Sequence, residues 1–226
     1  GRSEKRGMRT SHKEMRRKIN AEVSKITDEE LFSSAAFAAY LTDIAEAVTK
    51  RYKRRLRVET IYDTSENAMI ACTNNRNILI NTGNYISQSM PYRKLKAESI
   101  LGLVGHEAGH MLFTNFRISE TYFSELSYGR LYPQMELSEE EQESFTEVTD
   151  YFKTGTEAQK QAILKAAKLL LNILEDAYIE ARICDRYTGR FATGIHLNNI
   201  RFTEMMPSVT EQLINGCYRF LCFVIF

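Results

Sequence analysis

The chain has 226 residues, with 30 Lys and Arg against 29 Asp and Glu and a formal net charge of +1. That length supports one well-buried core, or one core with a small appendage. The near-balanced charge gives no global attraction to nucleic acid or to an anionic membrane, and the 43% hydrophobic content is that of an ordinary globular protein.

The charge is unevenly placed. Residues 1–20 carry Arg2, Lys5, Arg6, Arg9, Lys13, Arg16, Arg17 and Lys18 against Glu4 and Glu14. They read as a basic, flexible arm or the start of an exposed helix, with residues 21–226 forming the domain proper. A second basic run, Lys50 to Arg55, ends a predicted helix. Such runs can meet an acidic partner or a nucleic acid, but a solvated arm and a helix C-terminus whose cations suit the macrodipole explain them as well.

Thr27-Asp28-Glu29-Glu30 has the form of a capping box. The apolar residues from Leu31 to Val48 recur at helical spacing and predict one long helix. Past Arg57 the period changes to two, with Val58, Thr60 and Tyr62 alternating with polar residues. Met69–Thr73 and Asn77–Asn81 then flank Asn74-Asn75-Arg76, which predicts a hairpin with an Asn-rich turn. A helix is expected from about Tyr92 to Phe116, and one or two short helices between Arg117 and Gly155. Thr156 and Gln159 form a second capping box, opening a helix to about Tyr187 whose apolar stripe is read as Ile163, Ala167, Leu170, Leu171, Leu174 and Tyr178. Gly189 and Gly194 are expected to bound a loop, and Pro207 to start a last helix.

Cys72, Cys184, Cys217 and Cys222 include no CxxC pair. They are expected to be reduced thiols of a cytoplasmic protein, and no signal peptide is expected at the charged N-terminus. The apolar stretch Cys217–Phe226 is too short for a membrane span and is interrupted by Arg219. It should dock on the core, or the chain should continue into a further domain.

The segment that carries chemistry is His106-Glu107-Ala108-Gly109-His110. On a helix, residues i and i+4 share a face one turn apart, so both imidazoles can reach one ion. Zn2+ suits neutral imidazole and keeps a fourth position open in catalytic sites, where it lowers the pKa of water to about 7. Glu107 can act as general base and then general acid beside it. Three ionisable groups in so apolar a helix cost free energy unless paired or metallated. Gly102, Gly105 and Gly109 weaken the helix by about 1 kcal/mol each. Close approach of another backbone is the expected reason.

This segment resembles the HExxH signature of zincin metallopeptidases. The Gly and third His that metzincins carry just downstream are absent, since Met111–Phe116 supplies neither, and the chain is more similar to the gluzincins. That resemblance implies an α+β fold, mainly helical, with a small antiparallel sheet before the HExxH helix, and a carboxylate third ligand on a later helix. The helix from Leu171 to Arg182 supplies Glu175, Asp176 and Glu180. Glu175 is the first choice as ligand, beside Leu171, Leu174 and Tyr178. Asp176 is the second, and would then pair with Glu180 as a ligand with its support. The acid that is not a ligand could hold a ligand histidine by its other ring nitrogen. The same helix is similar to one in bacterial proteins that carry a metallopeptidase-like region ahead of a von Willebrand A domain, which implies that the chain is the N-terminal part of a longer protein. His196, Tyr178 and Arg182 are candidates for stabilising an oxyanion.

The expected function is zinc-dependent hydrolysis of a protein or peptide substrate. The alternative is a non-catalytic zinc-containing module that acts through a protein partner. Four protein ligands would favour the second, and three plus water the first.

Overall fold

The computed structural model describes residues 4–52 and 55–215, with the side chains of the first helix from His12 onward. The apolar stretch Cys217–Phe226, with two of the four cysteines, lies outside the described residues, as do Lys53 and Arg54 of the second basic run. The fold is mainly helical with one small sheet. Among the described residues no helix is long and apolar enough to cross a membrane.

The arm is helical over α1 (Glu4–Val23), and His12 to Lys25 are exposed. The capping box at Thr27 forms: its hydroxyl accepts from Glu30 N, and Glu30 returns to Thr27 N. It opens only a short helix, α2 (Asp28–Phe32), and α3 (Ala35–Thr49) follows. The single long helix expected here is divided because the Ser34 hydroxyl accepts from Phe37 N and starts the helix afresh.

The strands are β1 (Arg57–Ile61), β2 (Ala71–Thr73) and β3 (Asn77–Asn81), in the order β1-β3-β2. The hairpin forms as its Asn-rich turn suggests. Asn75 takes a left-handed φ of 64°, and the Asn74 side chain accepts from Arg76 N and Asn77 N. The sheet is mixed, however: β2 pairs antiparallel with β3, and β1 pairs parallel to it. The link from β1 to the hairpin is held by Asn81, whose buried amide donates to Asp63 O and Met69 O and accepts from Asp63 N and Gly83 N. With every polar atom of that amide paired, its burial carries no unsatisfied group.

After a short α4 (Tyr85–Gln88) comes α5 (Arg93–Phe113), the motif helix. It is buried nearly all round from Ser99 to Met111, which identifies it as the central helix of the core. On one side lie β3 and β2; on others pack α3, α8 (Glu157–Arg186) and α9 (Arg190–Met205). Phe32, Leu41, Val58, Ile78, Ile80, Ile100 and Val104 form the interior around it. Between α5 and α8 run α6 (Phe116–Ser127) and α7 (Glu139–Thr154), and α10 (Val209–Ile214) follows α9.

The expected loop at Gly189–Gly194 is instead the first turns of α9. Gly194 is there for contact. A Cβ on it would lie 2.4 Å from Glu98 O, and one on Gly102 would lie 2.3 Å from the Gly194 carbonyl carbon. The two helices cross backbone to backbone at this pair of glycines. Next to the crossing, buried Ser99 donates to Asn198 Oδ1 and, its one proton being so used, accepts from Ser87, while Asn198 Nδ2 donates to Ser99 O. The polar cluster thus fixes α4, α5 and α9 in register.

Candidate metal centre

The fourth and fifth turns of α5 point the two histidines at α8. Their rings lie edge to face, with centroids 4.9 Å apart. Asp176 Oδ1 is 3.2 Å from His110 Nε2 and 3.7 Å from His106 Nε2. Two donors each about 2.05 Å from one ion, at the tetrahedral angle, stand about 3.3 Å apart. The observed pair brackets that spacing, and His106, His110 and Asp176 form a cluster able to hold a metal ion.

Each imidazole is held by its other nitrogen. His106 Nδ1 lies 2.8 Å from Glu180 Oε1, whose carboxylate can only accept, so the ring donates from Nδ1 and keeps the Nε2 lone pair free. Glu180 is itself held by Asn199 Nδ2 at 2.7 Å. His110 Nδ1 lies 2.9 Å from Thr114 Oγ1, and that hydroxyl donates onward to Glu175 Oε1. The hydroxyl proton being committed to Glu175, Thr114 accepts from His110, and Nε2 is again free. Both tautomers are therefore those required for ligation through Nε2.

Of the two acids, Asp176 rather than Glu175 is brought to the Nε2 atoms of both histidines, and the cause is helix phase. An apolar stripe through Leu171, Leu174 and Tyr178 is expected to face the core, yet Leu174 and Tyr178 are about half exposed. The residues of α8 buried against α5 are Ile179 and Ile183, which pack on Gly109. At about 100° per residue, Asp176 lies in line with them, while Glu175 and Glu180 flank that line and reach the two histidines from either side. Leu and Ile fill positions 169–171, 173 and 174 of this helix, so its apolar content has no single phase.

Glu107 is buried and lines both cavities beside the cluster. Burial pushes its carboxyl above the ordinary range; His106 and His110 oppose the shift and the Asp176 charge adds to it. For His106, burial acts downward, but the Glu180 hydrogen bond and the charges of Glu107, Asp176 and Glu180 outweigh it and hold the imidazole above its ordinary value. Four carboxyl groups thus surround two imidazoles, a setting that a divalent cation would neutralise.

His196 is not brought to the site. α9 meets α5 through Phe191, Gly194, Ile195 and Asn198, which turns His196 to solvent on the opposite side. Arg182 stacks over Phe113 and Tyr178, and neither Arg182 nor Tyr178 lines a cavity of the site. The sequence reading missed Thr114 and Asn199. Thr114 had a signal, since it stands four residues beyond His110 and so over the same face. Asn199 had none, because its role depends on how α9 lies against α8.

Strand β2 borders the cluster. Ala71, Cys72 and Thr73 line the same cavity as His106, Glu107 and Asp176. Ile70 O and Asn74 N bond to β3 residues Asn81 and Asn77. By the alternation of an antiparallel pair, Ala71 and Thr73 turn their N–H and C=O groups to the open edge.

Comparison with protein-family models, with curated proteins and with solved structures finds no match.

Proposed function

We propose that the protein is a zinc-dependent hydrolase of peptide bonds, with His106, His110 and Asp176 as metal ligands and Glu107 as general base and acid. The observation that carries this reading is the convergence of three ligand atoms with both histidine tautomers fixed for ligation. His106, His110 and Asp176 would hold the zinc, which when bound would supply Lewis-acid activation of water and of a substrate carbonyl. Glu107 takes the proton of the attacking water and returns it to the leaving nitrogen. The open edge of β2 offers backbone pairing to an extended peptide, which would lay its carbonyl beside the cluster.

A closed structural site would need a fourth protein ligand. Among the described residues the cluster holds three, and a cavity opens beside it. This favours the enzyme over the non-catalytic module.

The test is zinc content together with peptide hydrolysis. Wild type should hold one zinc per chain, and His106→Ala, His110→Ala and Asp176→Ala should lose it. Glu107→Gln should keep zinc and lose hydrolysis by at least a hundredfold. Full activity in that variant would remove the general-base assignment, and zinc-free wild type would remove the reading as a whole.

A further inference from the structure

Two cavities meet at the ligand cluster. The first, about 360 Å³, opens on the Glu175 flank of α8, and the second, about 590 Å³, on the other flank. Both are of a size to take a side chain or a small ligand. They share only Ala71, His106, Glu107 and Asp176, so the proposed chemistry stands at their junction.

Their linings differ. The larger is walled mainly by Ile70, Leu103, Leu169, Ile173 and Phe202, and its own carboxylate, Glu180, is already engaged through both oxygens by His106 and Asn199. The smaller carries Glu175, Asn172, Ser119 and Thr114 on a floor with Phe116 and Phe123. Their order along the edge strand is fixed as well: Ile70 belongs to the larger, Ala71 to both, and Cys72 and Thr73 to the smaller. Antiparallel pairing is the more stable per residue. A peptide added to β2 in that sense runs from the Thr73 end to the Ile70 end, and reaches the smaller cavity first.

We propose that the two cavities are the side-chain subsites on either side of the attacked bond. The substrate is then a peptide with a basic residue just before that bond and a bulky apolar residue just after it. The apolar residue fills the Leu169–Phe202 cavity, and the basic one meets Glu175. This assignment rests on the hydrolase reading.

The experiment uses the full chain carrying Glu107→Gln, loaded with zinc, and three fluorescent heptapeptides. These have Lys-Phe, Lys-Ala or Phe-Lys at their centre and alanine elsewhere. Burial of a phenyl ring predicts that Lys-Phe binds at least about tenfold more tightly than the other two. Leu169→Glu, at a half-exposed position that tolerates charge, should erase that advantage while one zinc per chain is kept. Equal affinity for the three peptides at full zinc loading overturns the subsite assignment and leaves the hydrolase reading standing. So does an advantage that survives Leu169→Glu, and Phe-Lys binding best overturns the order of the subsites. Absence of zinc from both wild type and Glu107→Gln overturns the hydrolase reading and this assignment with it.

Discussion

Replacing Gly102 by alanine should destabilise the protein although it improves the helix. The added methyl would stand 2.3 Å from the Gly194 carbonyl carbon, 2.5 Å from its oxygen and 2.7 Å from Ile195 N, where ordinary contact begins at 3.4 Å. All three atoms are backbone, so no rotamer change can clear them, and α9 must withdraw by about 1 Å from a close-packed crossing. Alanine gains about 1 kcal/mol of helix propensity. Overpacking at an unyielding neighbour costs about 3 kcal/mol or more. The net loss is about 2 kcal/mol, or about 4–8 °C in Tm for a chain of this size. Urea and thermal denaturation of the metal-free protein, followed by circular dichroism, measure it. Gly109→Ala is the control, because its methyl would meet the Ile179 and Ile183 side chains at 3.0 Å, and these can give by a few tenths of an ångström. That variant should be near neutral. Wild-type stability in Gly102→Ala, or equal losses in the two variants, would refute the backbone crossing of α5 and α9.

Three further outcomes follow from the site. Thr114→Val should weaken zinc binding about 10–100-fold by freeing the His110 ring, and Thr114→Ser should restore it; chelator competition measures both, and equal affinity in the valine variant would exclude the Thr114–Glu175 support. Because His106 titrates above its ordinary 6.5 in the metal-free protein, protons should compete with zinc from above that pH downward. A chelator titration that is flat between about pH 8 and 6 counts against the ligand role of His106. Burial, the largest cause, raises Glu107 above 4.5, so its favourable contribution to folding is complete below that value and is lost as pH rises through the raised one. Metal-free Glu107→Gln should therefore exceed wild type in Tm at pH 7, and the difference should shrink toward pH 4; a constant difference would contradict the burial argument.

What was legible in the sequence was local. The capping boxes at Thr27 and Thr156, the Asn74–Arg76 turn and the His106–His110 pair each follow from residues a few positions apart, and each stands where expected. The mainly helical α+β class was what the resemblance of the His106–His110 segment implied, and the helical and strand periods agree with it. The parallel pairing of β1 with β3 was not legible, since it depends on a connection that loops past the hairpin. The choice between Glu175 and Asp176 required the phase of α8, and Leu174 and Tyr178 pointed to the wrong face because they are exposed apolar residues. Gly194 misled in the opposite way. As a residue that weakens helices it suggested a loop, whereas its lack of a side chain lets α9 touch α5.

The placement of the ligands on α5 and α8 has a further mechanical meaning. Positions 110 and 176 lie on opposite sides of a long excursion through α6 and α7, and those two helices bury little of their own surface: Leu126 in one and Phe152 in the other. An ion held between His110 and Asp176 would act as a clasp across that excursion, closing a loop whose entropy grows with the logarithm of its length. Its removal should be felt least by the glycine crossing and most by α6 and α7. The state of the ion would then be readable in amide exchange far from the chemistry it serves.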